Sequence, residues 1–402
     1  MNIPKMPPDA AFIIKNLEKH GYEGYIVGGC VRDCIMGIEP HDWDITTSAS
    51  PMEVKSIFPH TFDSGIKHGT VTVLMGNTNY EVTTYRVDGK YADCRHPVEV
   101  KFTKNLHEDL LRRDFTMNAI AYNMKDGYVD IFGGIEDIKN KIIRGVGEPS
   151  ERFREDALRM LRAIRFASQL GFDIEENTKK ALEENVGLIS KISSERIREE
   201  ICKLLISPYT NNIHLLWDTG LLKNISISIH ESITGHEDEI IKQISNSGKI
   251  ISVLFAALIQ FVPENRLKNT LALFKFDTKT LKEINLLYSN KNTDIFSDEI
   301  SVRKTASKLG ARGAELLYKF KAAQNNNEAL KALNTLKIIL EKKQCLDIKS
   351  LSINGSDLKT IGISPGKKMG EILNYLLQLV LENPSLNSRG ALLNEAEKYL
   401  RK

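Results

Sequence analysis

The sequence predicts an α+β protein, a small head on an antiparallel or mixed sheet followed by a long all-helical remainder. Two observations carry this. Short, apolar, β-branched runs recur in the first third of the chain, at 25–27, 43–47, 70–75, 80–85 and 98–102. From Glu151 onward the apolar periodicity is helical, cut by Gly171, Pro208, Gly220, Pro263, Gly310, Gly355 and Pro384 into helix-length pieces with no fixed repeat.

Taken in order, Asp9 is expected to cap a helix over 10–20, which Gly21 ends. Residues 25–27 read as a buried strand, broken by Gly28 and Gly29 before a helical turn or two at 31–36. Residues 87–97 are polar and contain Gly89 and Pro97, which predicts a mobile loop. Apolar residues make up 42% of the 402, enough to bury real cores. The net charge of +3 neither requires nor excludes a nucleic-acid partner. Cys30, Cys34, Cys94, Cys202 and Cys345 form no CxxC and no zinc spacing, so reduced thiols and a cytoplasmic location are expected. The N-terminus lacks an apolar signal region. The longest apolar stretch, 250–262, is too short to span a membrane and contains Gln260. No protein partner is evident.

Four motifs carry chemistry. The first is Gly28, Gly29 and Arg32, followed by Asp42 and Asp44. On a strand the two aspartates would share a face, with Trp43 and Ile45 turned into the core. Paired carboxylates repel unless a cation holds them, and Mg2+ shares such sites with substrate phosphates. The glycine turn opening a helix offers N–H groups to phosphate, and Arg32 adds positive charge. Glu81 is either a third carboxylate of this cluster or an edge-strand charge.

The second motif runs over 112–121. Phe115, Ala119 and Ile120 suggest the packing stripe of a helix, with Arg113, Asp114 and Asn118 on its polar side. Asp accepts from a ribose hydroxyl and Arg grips phosphate, although a salt-bridged helix would look the same. The third motif holds Glu155, Asp156, Arg159 and Arg162, and at helical spacing both acids reach Arg159. This is either an ordinary ion pair or a base reader. An Asp acceptor beside an Arg donor matches the amine-next-to-acceptor edge shared by cytosine and adenine, which guanine and uracil reverse. The fourth, 193–201, opens on a Ser cap and is expected to brace the third.

In this order the four stretches closely resemble the class II, bacterial-type tRNA nucleotidyltransferase and poly(A) polymerase family, over about 21–205. The resemblance implies a DNA polymerase β-like head at 1–150, with Asp42, Asp44 and Glu81 catalytic and Asp42 and Asp44 holding metal. It implies a neck at 151–206 that reads the base, a body at 207–340 and a tail at 341–402. Gly133 and Gly134, after Asp130, match the family's hinge motif. Gly28, Gly29, Arg32, Arg113, Asp114, Asn118, Glu155, Asp156, Arg159 and Arg162 would bind nucleotide. Lys367 and Lys368, in a tail-like stretch, would suit a tRNA phosphate or be plain solvated lysines. The activity implied is template-independent addition of C, C and A to tRNA from CTP and ATP, with Mg2+. The loop at 86–97 argues against CC-only addition, and it is expected to act as a lever for the final A. A-only addition, poly(A) synthesis and an RNA-binding protein with an inactive head are the alternatives.

Overall fold

The computed structural model describes residues 4–89 and 100–401. Cys94, most of the expected 86–97 loop and the start of the 98–102 run fall outside the described residues. By density of contacts the chain divides into two compact units, Met1–Glu231 with Lys268–Lys275, and Ser232–Leu267 with Phe276–Lys402.

Among the described residues, nine short strands appear in the first unit before residue 131. They are β1 (Gly24–Val27), β2 (Ile45–Thr47), β3 (Thr61–Gly65), β4 (Thr70–Met75), β5 (Thr78–Thr84), β6 (Arg86–Asp88), β7 (Val100–Phe102), β8 (Ile120–Asn123) and β9 (Gly127–Asp130). Seven form one sheet in the order β3-β4-β5-β2-β1-β8-β9. Only β2 and β5 pair in parallel, so the sheet is mixed and mostly antiparallel, as the sequence predicts. β6 and β7 make a separate hairpin flanking the undescribed segment. The central strands β1 and β8 are buried along their whole length.

The sheet is accompanied by α1 (Pro8–Lys19), α2 (Gly29–Met36), α3 (Pro51–Ile57), α4 (Leu106–Leu111) and α5 (Gly134–Lys139). Pro8, placed in the first turn, starts α1, and Asp9 lies inside the helix rather than capping it. Four helices follow, α6 (Pro149–Glu155), α7 (Leu158–Leu170), α8 (Glu176–Asn185) and α9 (Ser194–Leu205). α7 is buried on nearly every side and packs against α9. Arg165 on α7 donates to Glu200 on α9 at 2.5 Å, and both are almost fully buried.

The second motif departs from its expected helix. Phe115 is extended and pairs with Gly145, Thr116–Asn118 is a single tight turn, and Ile120 opens β8. Phe115, Ala119 and Ile120 are all fully buried. A strand covered on both faces is apolar on both faces, so its spacing does not distinguish it from a helix. The open edge of β1 decides the matter by offering a hydrogen-bond ladder to Ala121 and Tyr122.

The motif around Asp130 closes the head. Its two carboxylate oxygens accept the N–H groups of Gly134 and Ile135, each at 2.8 Å, and so anchor the start of α5. Asp137 on α5 accepts from the Thr116 hydroxyl at 2.7 Å and from Arg144.

In the second unit the helix Ile251–Ile259 is buried on all sides from Ser252 onward. The helix Glu299–Ala323 is kinked at Gly310. Residues between Cys345 and Ala396 have their own apolar cluster, centred on Leu358, Ile372, Leu376, Val380 and Leu392. Arg303, almost wholly buried, donates to the Leu381 carbonyl at 2.6 Å and caps the end of the helix Lys367–Glu382. Among the described residues no helix is long and apolar enough to cross a membrane.

Gly134 carries a sharp test of this packing. A Cβ there would lie 2.2 Å from the Thr116 carbonyl oxygen and 2.9 Å from Ile120. Backbone cannot yield as a side chain can, so Gly134→Ala is expected to cost about 3 kcal/mol. Urea unfolding measures it, and an unchanged midpoint would contradict the packing described.

Candidate active site

The site begins at the β1–α2 junction. Gly28 has φ 82°, a left-handed conformation that glycine adopts without penalty. A Cβ at Gly28 would stand 3.1 Å from an Arg113 guanidinium nitrogen, so the missing side chain is also what lets Arg113 approach the turn. The first N–H groups of α2 have no acceptor within the helix and point out of its N-terminus, the polarity that suits phosphate.

Asp42 and Asp44 precede β2 rather than lying in it, although Val27 N–H donates to the Asp44 carbonyl and fixes that end of the segment. Trp43 is only half-buried, against the expectation that it enters the core beside Ile45. It lines a cleft of about 730 Å3 with Cys34, Ile38 and Pro40. The physical reason is that the strand starts two residues later than expected, at Ile45, which leaves Trp43 outside the sheet. In parallel register Ile45 pairs with Val82, and both are buried. One residue back, on the opposite face, Asp44 therefore comes beside Glu81. Asp42, Asp44 and Glu81 are open to solvent, yet protein crowds the Asp44 carboxyl. That crowding pushes its pKa up. Glu81 and Asp42 add to the rise, and Arg113 opposes it.

Such a concentration of negative charge fits a hard cation. Among the described residues no three His, Cys, Asp or Glu side chains are arranged to hold a metal by themselves. Asp42 and Asp44 fit the other way of holding one, in which a few carboxylates share the ion with substrate phosphates.

A charged ladder runs from this turn into the helices. Arg32, almost fully buried, donates to Asp33 through Nε and Nη2 and to Asn118 Oδ1 at 2.8 Å. Asn118 in turn donates to Asp114 at 3.1 Å. Arg162 on α7 grips the other Asp114 oxygen through two nitrogens, at 2.9 and 2.5 Å. With the Phe115 N–H at 2.8 Å, four donors saturate the Asp114 carboxylate. A ribose hydroxyl could bond Asp114 only by displacing one of them. Burial would raise the Asp114 pKa, but Arg162 and Asn118 outweigh it and hold the group well below the usual carboxylate range. The Phe166 ring lies against three guanidinium groups, those of Arg32 and Arg162 at 5.3 Å and Arg165 at 3.9 Å.

The third motif is rearranged relative to its expected helix. α6 stops at Glu155 and Asp156 is extended, so the two acids diverge. The Arg159 side chain meets Glu155 at 2.7 Å, whereas only its backbone N–H reaches Asp156, at the carbonyl. Asp156 is held by the fork of Arg196 on α9, at 3.2 and 2.7 Å. Arg159 also donates to the carbonyls of Arg152 and Arg112. The 193–201 segment thus braces this motif through a residue that spacing did not single out. Asp109 on α4 was missed as well, though its separations of three and four residues from Arg112 and Arg113 are helical ion-pair spacings. Lys367 and Lys368 open a helix in the second unit, and the Lys367 side chain is almost fully exposed.

Residues 24–144 match the family described as "Poly A polymerase head domain" and 171–230 match "Probable RNA and SrmB-binding site of polymerase A". Residues 243–396 match a domain 2 family of tRNA nucleotidyltransferases. The CCA-adding enzyme of Lactobacillus helveticus is 38% identical over 393 residues, covering 96% of this chain and 95% of the relative. That of Ligilactobacillus salivarius is 36% identical, covering 99% and 98%. The CCA-adding enzyme of Bacillus stearothermophilus, solved in complex with CTP, superposes with a TM-score of 0.84 at 32% identity, over 98% of this chain and 100% of that one. The Thermotoga maritima enzyme, solved with tRNA, gives a TM-score of 0.65 at 23% identity over 98% and 97%, a likeness of fold.

The Asp114–Arg162 pair predicts a pH dependence. A carboxylate whose pKa is depressed by folding stabilises the native state above its unfolded value, about 3.9, and that contribution is lost as pH falls through the folded value. Asp114→Asn is therefore expected to cost about 2 kcal/mol at pH 7, where it leaves a half-buried guanidinium without its carboxylate, with the gap from wild type narrowing only below about pH 4. Denaturant unfolding at pH 7 and pH 3.5 checks this, and a gap that widens in acid would refute the assignment.

Proposed function

Because this chain belongs to the tRNA nucleotidyltransferase and poly(A) polymerase family, we propose that it is a CCA-adding enzyme, extending tRNA with C, C and A from CTP and ATP without a nucleic-acid template. One observation supports this above the others. Arg112 is bonded through its side chain to Asp109, which also receives Thr46 of the metal-side strand, and through its carbonyl to Arg159 of the base reader. A phosphate-side site and a base-reading site are thereby braced against each other through Arg112.

In this reading Asp42 and Asp44, with Glu81 beside them, hold Mg2+. When bound, one ion would activate the attacking 3′-hydroxyl and a second would neutralise charge on the triphosphate, with pyrophosphate as the leaving group. Arg113 and the Gly28–Gly29 turn receive the triphosphate. Asp156, aimed by Arg196, keeps a lone pair on Oδ2 for an exocyclic amine. Arg159 has three of its five donors engaged among the described residues, leaving two for a ring nitrogen. GTP and UTP present the reversed pattern and leave both groups unpaired, which costs more than a neutral mismatch. Lys367 and Lys368 are assigned to tRNA phosphates, and the cytoplasm, where tRNA and both nucleotides meet, to the enzyme. The domain division of 1–150, 151–206, 207–340 and 341–402 is retained as a functional one. The intact carboxylates oppose the RNA-binding alternative with an inactive head.

Asp42→Ala and Asp44→Ala are each expected to abolish incorporation of both nucleotides into tRNA lacking its CCA end, while tRNA affinity stays within about twofold. Product length on a sequencing gel, beside a filter-binding assay, tests this. Substantial extension by either variant with Mg2+ present would defeat the metal assignment.

Arg196→Ala is expected to release Asp156 and raise UTP incorporation relative to CTP at least tenfold, about 1.4 kcal/mol of lost discrimination. Single-nucleotide kcat/KM ratios measure it. A variant as selective as wild type would mean that Arg196 does not aim the base reader.

A further inference from the structure

Asp109 is a fully buried carboxylate on α4 that belongs to none of the four motifs. Its two oxygens have separate tasks. Oδ1 accepts from Arg112 Nε at 2.9 Å and Arg112 Nη2 at 2.6 Å. Oδ2 accepts from Arg113 Nη2 at 3.2 Å and lies 3.1 Å from the Thr46 hydroxyl. Thr46 lies in β2, two residues beyond Asp44, so this carboxylate ties two consecutive arginines to the strand that follows the aspartates.

Arg113 is held only loosely otherwise. Among the described residues Asp109 is its one ion-pair partner. Its Nη1 lies over the Gly28 turn, and its Nε is buried with no hydrogen-bond partner. A buried donor left without an acceptor is costly unless something else supplies one. A guanidinium with one arm anchored and another donor unused, set over a glycine turn at a helix N-terminus, is arranged to accept an anion.

We propose that Asp109 is a positioning residue for the nucleotide triphosphate, holding Arg113 over the Gly28–Gly29 turn and, through Arg112, setting the carbonyl on which Arg159 rests. This rests on the functional reading above in that the anion is taken to be a nucleoside triphosphate. Because Asp109 touches no reacting atom, its effect falls on nucleotide affinity more than on the metal's chemistry, and equally on CTP and ATP.

The test is equilibrium dialysis of radiolabelled CTP and of ATP against the full chain with Mg2+ and no tRNA, beside steady-state addition to tRNA lacking CCA. Asp109→Asn keeps the shape and removes the charge. It is expected to weaken binding of both nucleotides tenfold or more and to raise both KM values in step, with tRNA affinity within twofold of wild type. Unchanged nucleotide affinity in a folded Asp109→Asn overturns the proposal, as does a fall in kcat and Tm with affinity intact, the mark of a purely structural role. If Asp109→Asn does not fold, Thr46→Val decides, since it removes one neighbour of Oδ2 and leaves the charge. A two- to fivefold loss of nucleotide affinity supports the proposal, and none overturns it. A wild-type chain that binds CTP but does not extend tRNA defeats the CCA reading while the Asp109 result still stands. A wild-type chain that binds neither nucleotide overturns both.

Discussion

Burying an ion is costly enough that it is tolerated only beside a counter-ion with good geometry, and that constraint organises the region around α7. Asp114, largely buried in the segment leading into the sheet, and Arg162, partly buried on α7, satisfy each other. Neither segment can shift without stranding a charge. The position of the helix relative to the sheet follows from that pair, as does the position of every arginine that lies against Phe166. Arg165 and Glu200 repeat the device one turn further on and fix α9. α9 in turn delivers Arg196 to Asp156.

The network separates two kinds of charged group. Arg32, Asn118, Asp114 and Arg162 are joined in one chain of hydrogen bonds, with the Arg165–Glu200 pair beside them, and make a frame. Asp42, Asp44 and Glu81 open to solvent, and Arg113 keeps an unused donor. A frame with satisfied polar groups surrounding a rim with unsatisfied ones is what a preorganised polar site requires, because the rim need not reorganise when a charged ligand arrives. Several residues expected from their motifs to bind nucleotide, Arg32 and Asn118 above all, are also bonded into this frame.

Much of the architecture was legible in the sequence. The β-branched runs gave strands close to their true bounds, the run at Thr70–Met75 without error. The change to helical periodicity near residue 150 is real. The glycine pair, the two aspartates and the arginine-rich stretches all lie in one region, in the order their motifs implied. Failures came where a local pattern had two solutions. The stripe at Phe115, Ala119 and Ile120 fits a helix or a doubly covered strand, and spacing carries no information about which neighbour is waiting. The helix assumed through Asp156 failed because the chain becomes extended there, which no residue between Glu155 and Leu158 announces.

The sequence by itself determined which chemistry is available, since residue types and their order fix the carboxylates, the phosphate turn and the arginines. It also determined the fold class, because periodicity is a property of the chain. Only the tertiary structure decided which charges pair. Asp156 with Arg196 is a contact across 40 positions, Asp114 with Arg162 across 48 and Arg32 with Asn118 across 86. Such partners are chosen by burial, where an unpaired charge is excluded, and burial is a property of the folded molecule alone.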